Sequence, residues 1–110
     1  MTAKTAKKRD KKAIERTAYR WMMRCLRAME AAGRAGKRSI ELVIKDVSRV
    51  AAPDGFRRFK AEHRPAADEA VAMMRNGSMP LDATFVEESI PADGRRPLRH
   101  RYKLVFTARW

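Results

Sequence analysis

The spacing of apolar residues changes along this chain, and the change marks its elements. From Ala13 to Ala32, the residues Ile14, Ala18, Trp21, Cys25, Met29 and Ala32 recur at steps of three and four. That spacing gathers them on one stripe of a helix. In the segment Arg101 to Trp110 the period is two: Tyr102, Leu104, Phe106, Ala108 and Trp110 alternate with Arg101, Lys103, Val105, Thr107 and Arg109. Strict alternation with aromatic and β-branched residues predicts a half-buried strand. Ala83 to Ile90 is strand-like with a looser pattern. Between these two segments lies Asp93-Gly94, a hairpin turn signal, because glycine accepts a positive φ without a Cβ clash. A tip at Asp93-Gly94 sets Glu88 against Arg99 and Phe85 against Tyr102. Pro91 and Pro97 lack the donors that pairing close to the tip would use. The returning strand outruns its partner, so its end needs a second one, and Ser39 to Ile44 is the best candidate.

The middle of the chain carries two overlapping patterns. Ile40, Leu42 and Ile44 fit a strand, whereas Ile40, Val43, Ile44, Val47, Val50 and Ala51 fit a helix. The expectation is a short strand at Ser39–Ile44 followed by a short helix at Lys45–Ala52. The alternative is one helix from an N-capping Ser39 to Ala52. Pro53-Asp54-Gly55 is a turn. Phe56–His63 reads as a short helix with Phe56 and Phe59 inward, ended by Pro65. Ala66–Arg75 reads as another, with Ala67, Ala70, Val71 and Met74 inward and Asp68 and Glu69 favourable to its dipole in the first turn. Asn76-Gly77 predicts a left-handed cap for it, and Gly33 a C-cap for the first long helix. The fold class expected is therefore α+β, with three to four helices followed by a C-terminal antiparallel β-hairpin. Helix, short strand, helix, helix, hairpin is the element order of a winged helix–turn–helix domain, with the hairpin as wing. That winged-helix-like order is an analogy, and it does not fix function. Residues 1–12 read as a basic flexible arm, or a helix extension ordered by a partner, and 13–110 as one small domain.

Charge sharpens the functional expectation. The 110 residues hold 26 Lys and Arg against 13 Asp and Glu, a net charge of +13. Such an excess attracts polyanions; high solubility alone is the plainer reading. The arm contributes Lys4, Lys7, Lys8, Arg9, Lys11 and Lys12 against one acid, Asp10. Opposite the first helix's apolar stripe, Lys12, Arg16, Arg20, Arg24 and Arg27 form a row, with Glu15 and Glu30 the acids near it. Like charges four residues apart repel. A face needing only solubility would interleave glutamates, so the row reads as one that tracks phosphates. Arg95, Arg96, Arg99, Arg101 and Lys103 lie on the hairpin tip and returning strand. Arg57, Arg58 and Lys60, with the Arg95-Arg96 tip, are the candidates for base readout. The helix and hairpin cations are expected to converge on one surface.

The function expected is non-enzymatic nucleic-acid binding, by a winged-helix-type regulator on double-stranded DNA or an accessory factor of a nucleoprotein complex. DNA is favoured over RNA because Tyr102, Phe106 and Trp110 are assigned to the core, which leaves no platform for stacking bases. No catalytic constellation is present. His63 and His100 stand apart, without cysteines or acids at metal-ligand spacing. Asp46, Asp54, Asp68 and Glu69 have ordinary turn and capping roles. No cofactor and no metal are therefore expected. Cys25, the single cysteine, reads as core filler, and a chain without an internal disulfide suits a reducing cytoplasmic compartment. No apolar run approaches the ~20 residues of a membrane span, and the basic N-terminus lacks the apolar stretch of a secretory signal. The alternative is a small basic inhibitor or adaptor that docks on an acidic partner or a ribonucleoprotein. Tyr19, Met22, Met23 and Leu26 widen the apolar stripe of the first helix. Core is the first reading of that excess and a homodimer seam the second.

Overall fold

The computed structural model describes residues 3–110, with side chains for 10–110. The arm cations Lys4, Lys7, Lys8 and Arg9 thus have side chains outside the described residues, as do Met1 and Thr2 altogether. The elements are α1 (Ala3–Arg34), β1 (Ser39–Val50), α2 (Gly55–Asn76), β2 (Asp82–Ile90) and β3 (Arg99–Arg109). The three strands form one antiparallel sheet in the order β1-β3-β2. Because β1 and β2 both run against β3, they are parallel to each other. The unit β1-α2-β2 is thus a β-α-β crossover with β3 inserted between its strands. Both helices cover the same face of the sheet. Trp21 of α1 packs edge-on against Phe106, and Phe59 of α2 stacks on Tyr102. No layer of the described residues covers the opposite face.

This arrangement replaces the expected one. The described residues form two helices and three strands, not three to four helices followed by a hairpin, and no helix–turn–helix is found among them. Two local features account for the difference. Ser39–Val50 is a single strand whose register against β3 slips between Val43 and Lys45. Ile44 is the extra residue of a β-bulge, and a bulge reverses the alternation beyond it. Ile40, Leu42 and Ile44 point to the helices before the bulge, and Val47, facing Tyr102, does so after it. The resulting three-residue step imitates a helical repeat, which explains why Lys45–Ala52 reads as a helix in sequence. In α2, the chain passes through Pro65 without stopping. Phe59, His63, Ala66, Ala67, Ala70 and Met74 form one inward stripe across the proline, with Pro65 itself exposed. Burial of that stripe, worth roughly 1.5–3 kcal/mol per large apolar side chain, offsets the backbone bond that a proline forfeits.

Helix ends and the hairpin are also resolved in detail. Lys37 N–H bonds to the Ala32 carbonyl and Gly36 N–H to that of Gly33, at 2.8 and 3.0 Å. This paired closure places Gly36, at φ 77°, in the left-handed position. The cap of α1 is therefore Gly36 rather than Gly33. The same pair of bonds closes α2, from Met79 to Met74 and from Ser78 to Arg75. Here Ser78, at φ 62°, takes the left-handed position, one residue beyond the expected Asn76-Gly77. The β2–β3 hairpin turns through Gly94-Arg95, with Asp93 and Arg96 exchanging both backbone bonds. Gly94, at φ 53°, occupies the first central position, as a type II′ turn prefers. The register accordingly moves by two residues: Glu88 faces Arg101 and Phe85 faces Leu104. A shift of two leaves every side chain on its expected face. Tyr102, Leu104, Phe106 and Ala108 are buried as the alternation predicts, and Ser39–Ile44 lies within the second partner of the returning strand. Trp110, assigned to the core, is instead 41% exposed.

The core runs through all five elements. Ala18, Ala66, Ala67 and Ala70 are buried, so small side chains stand where the helices meet. An aromatic chain connects Phe106, Trp21, His63, Phe59 and Tyr102 at centroid separations between 4.8 and 6.2 Å. Cys25 is fully buried within this core, and burial raises its thiol pKa to about 11. No helix among the described residues is long and apolar enough to cross a membrane.

Candidate nucleic-acid interface

The cations of α1 and those of the hairpin lie on different sides of the molecule. Arg99, Arg101 and Lys103 occupy the uncovered sheet face, because Tyr102 and Leu104 point to the helices. On that face Arg101 holds Asp46 through two bonds of 2.7 and 2.5 Å. Lys103 donates to Glu88 at 3.0 Å. Asp46 sits opposite Lys103 and Glu88 opposite Arg101 in the ladders, so acids on both outer strands flank the basic central strand. Arg101 and Asp46 satisfy each other, and the Asp46 carboxyl is held below its ordinary pKa first by the bond from Arg101. Val105 points outward yet is 7% exposed, shielded by Val43 and Thr84 beside it. This face is charge-balanced, and phosphate would have to compete with carboxylates already in place. The expected convergence of the two cation sets therefore does not occur.

On the helix side the picture is different. Lys12, Arg16, Arg20, Arg24 and Arg27 are all exposed, and none makes an ion pair among the described residues. Each four-residue step along a helix rotates the direction by about 40°. The row therefore crosses the crest of α1 from one flank to the other. Lys12 and Arg16 line a hollow with Tyr19 and Met73. Arg24 lines a second groove with Trp21, His63 of α2 and Lys45 of β1, and Arg20 lines both.

The second groove joins three elements and has a volume of about 490 Å³. Thr17, Arg20, Trp21 and Arg24 follow helical spacing on its α1 wall, and Glu62, His63 and Ala66 do so on its α2 wall. The bulge supplies the third side. Arg24 Nη1 donates a long bond, 3.5 Å, to the carbonyl of Ile44, and Lys45 follows that residue. Arg20 Nη2 donates to Thr17 Oγ1 at 3.4 Å. His63 forms the floor, its side chain 15% exposed, with Nε2 at 4.0 Å from the Glu62 carboxylate. Burial pushes the His63 pKa below its ordinary 6.5; Glu62 opposes the shift, and Lys45 and Arg49 add to it. Three cations thus border a floor that is uncharged at neutral pH.

The remaining candidates are scattered. Arg57 lies 4.0 Å from Asp54, and the Lys60 ammonium sits 4.6 Å from the centroid of Phe56. Arg58, Arg95, Arg96 and Arg99 make no ion pair among the described residues, with Arg95 and Arg96 at the tip of the ribbon. Sequence reasoning missed Lys45, His63 and Thr17 as neighbours of the α1 row. The sequence pattern places Lys45 in a helix, whereas the bulge turns it toward α1. His63 joins the groove because α2 runs on through Pro65. Among the described residues no cluster of His, Cys, Asp and Glu forms a metal site. Comparison with protein-family models, curated proteins and solved structures finds no match.

Proposed function

We propose that this protein binds double-stranded nucleic acid, DNA before RNA, without chemistry of its own, as a regulator or accessory factor of a nucleoprotein complex. The interface is the α1 row from Lys12 to Arg27, extended at its Arg24 end by Lys45. The observation that carries this reading is the contrast between the two faces. On the uncovered sheet face Arg101 and Lys103 are paired with carboxylates of their own chain, whereas the five cations of α1 are exposed and unpaired among the described residues. The preference for duplex rests on the sheet. Tyr102 and Phe106 are fully buried under the helices, and Trp110, 41% exposed just beyond β3, does not by itself make a platform for successive unstacked bases. The reading assigns the protein to a reducing cytoplasmic compartment, where Cys25 stays a thiol.

The test is affinity for a short duplex against salt concentration. Each phosphate neutralised steepens the log–log slope by ~0.9, so Arg16→Gln with Arg20→Gln is expected to flatten it by about two. A slope near zero in the unaltered protein would remove the reading. A second reading, docking on a protein, has one observation in its favour: Val43, Val50 and Ile90 are exposed on the charge-balanced sheet face. A pull-down treated with nuclease separates the two, since nucleic-acid bridging is lost and direct protein contact survives.

A further inference from the structure

We infer that the groove between α1, α2 and the β1 bulge is a seat for a single phosphate group, held by Arg20, Arg24 and Lys45 above the His63 ring. The inference rests on the nucleic-acid reading, which it deepens: a row of exposed cations becomes a row with one shaped position in it. Three observations carry it. The groove is concave, and its volume of about 490 Å³ exceeds a phosphate and leaves room for the sugar that bears it. Its three cations come from two different elements, so they are fixed by the fold rather than by rotamers of one helix. Among the described residues Arg24 and Arg20 are tied only by long bonds of 3.5 and 3.4 Å to neutral oxygens, which a phosphate oxygen would replace with shorter, charge-assisted ones.

The floor gives this seat a proton linkage. The groups facing His63 are Trp21 of α1, Phe59 and Glu62 of α2, and Lys45 and Arg49 of β1. The α1 cations Arg20 and Arg24 border the same groove. Glu62 is the one carboxylate among them. Burial and the nearby cations favour the neutral ring. A phosphate dianion or diester above the ring offsets those cations and favours imidazolium, so His63 takes up a proton as phosphate binds. By reciprocity, binding strengthens as pH falls from 7 toward 5.5. Phosphate could come from the backbone of a duplex, a terminal phosphate or the free ion, since all share the tetrahedral oxyanion.

The protein has two histidines, so ring resonances of His63 can be followed by NMR with His100 as internal reference. The titration is run alone, with inorganic phosphate, and with duplexes bearing or lacking a 5′-phosphate. The expected result is an upward shift of the His63 titration with at least one of these probes. Lys45→Gln is expected to weaken duplex affinity about tenfold, well beyond Lys37→Gln, which removes the same charge from the exposed α1–β1 turn. A 5′-phosphate effect confined to the end-phosphorylated duplex identifies a terminal group as the source, and equal effects identify the backbone. If duplex binds while His63 is unmoved and Lys45→Gln matches Lys37→Gln, the seat is wrong and the broader reading stands. If phosphate moves His63 but no duplex binds, the seat stands and the broader reading falls. An unmoved His63 with every probe overturns the seat.

Discussion

Gly55 opens α2 because of what lies against it. A Cβ at this position would stand 2.1 Å from the hydroxyl oxygen of Tyr102, a ring that is itself fully buried. Gly55→Ala is therefore expected to destabilise the fold by about 1–3 kcal/mol, the usual range for overpacking, measured by urea unfolding. Combining it with Tyr102→Phe, which removes the obstructing oxygen, is expected to recover part of that loss. His63 supports a prediction of a different kind. Its folded-state pKa lies below the ordinary 6.5. As pH falls below that ordinary value, the unfolded chain takes up a proton before the folded one does. Stability is then lost with falling pH. Thermal unfolding between pH 7 and 5 is expected to show this decline, and His63→Gln to flatten it. Neither constraint was legible in sequence. The sequence marks Gly55 only as a turn glycine and His63 only as an isolated histidine, because each role depends on a residue distant in the chain, Tyr102 for Gly55 and Trp21 for His63.

Among the elements, the long periodic ones were legible and the irregular ones were not. The stripe Ala18, Trp21, Cys25, Met29 and the alternation Tyr102, Leu104, Phe106, Ala108 are both buried as their spacing implies. Pattern and structure part where one residue breaks a period. Ile44 shifts β1 by one place, and Pro65 signals an end that tertiary packing overrides. Pro65→Ala would restore a donor within α2 and is expected to raise stability by about 1–2 kcal/mol, less than the full helical cost of proline because the proline also stiffens the unfolded chain. Ser78 closes α2 in a conformation that glycine adopts more readily. Ser78→Gly is expected to add about 0.5–1 kcal/mol, the relief of left-handed strain less the greater entropy of glycine in the unfolded state. Both substitutions are read from the midpoint of denaturant unfolding at constant m-value. The hairpin shows which part of a turn signal is dependable. Asp93-Gly94 located the turn, but the turn type chose Gly94-Arg95 as its centre, and that moved the register by two.

At the level of the whole molecule, net charge and charge placement separate. A total of +13 says nothing about where cations are already engaged. The fold places carboxylates of both outer strands against Arg101 and Lys103 of β3 and leaves the α1 row to solvent. Equal changes in charge on the two faces are therefore expected to have unequal effects. Arg101→Gln with Lys103→Gln should leave duplex affinity within about twofold, whereas Arg16→Gln with Arg20→Gln should reduce it more than tenfold at low salt. Comparable losses from the two pairs, measured by fluorescence anisotropy on the same duplex, would show that the sheet face takes part in binding. The row itself was visible in the sequence. Its neighbours were not, because the order of strands in the sheet decides which edge lies beside α1.

The bulge at Ile44 also bears on how copies of this protein meet. Both β1 and β2 are outer strands with one backbone edge uncommitted within the chain. Such edges invite pairing with another molecule. A contact between β1 of one copy and β2 of the next would join two different edges, so it would not close on itself and could propagate into a fibre. The irregular turn of chain at Ile44 interrupts the even spacing that a straight incoming strand requires. Excising that single residue, at the cost of a buried core side chain, is expected to restore a continuous template over Ser39–Val50 and to favour edge-to-edge polymerisation.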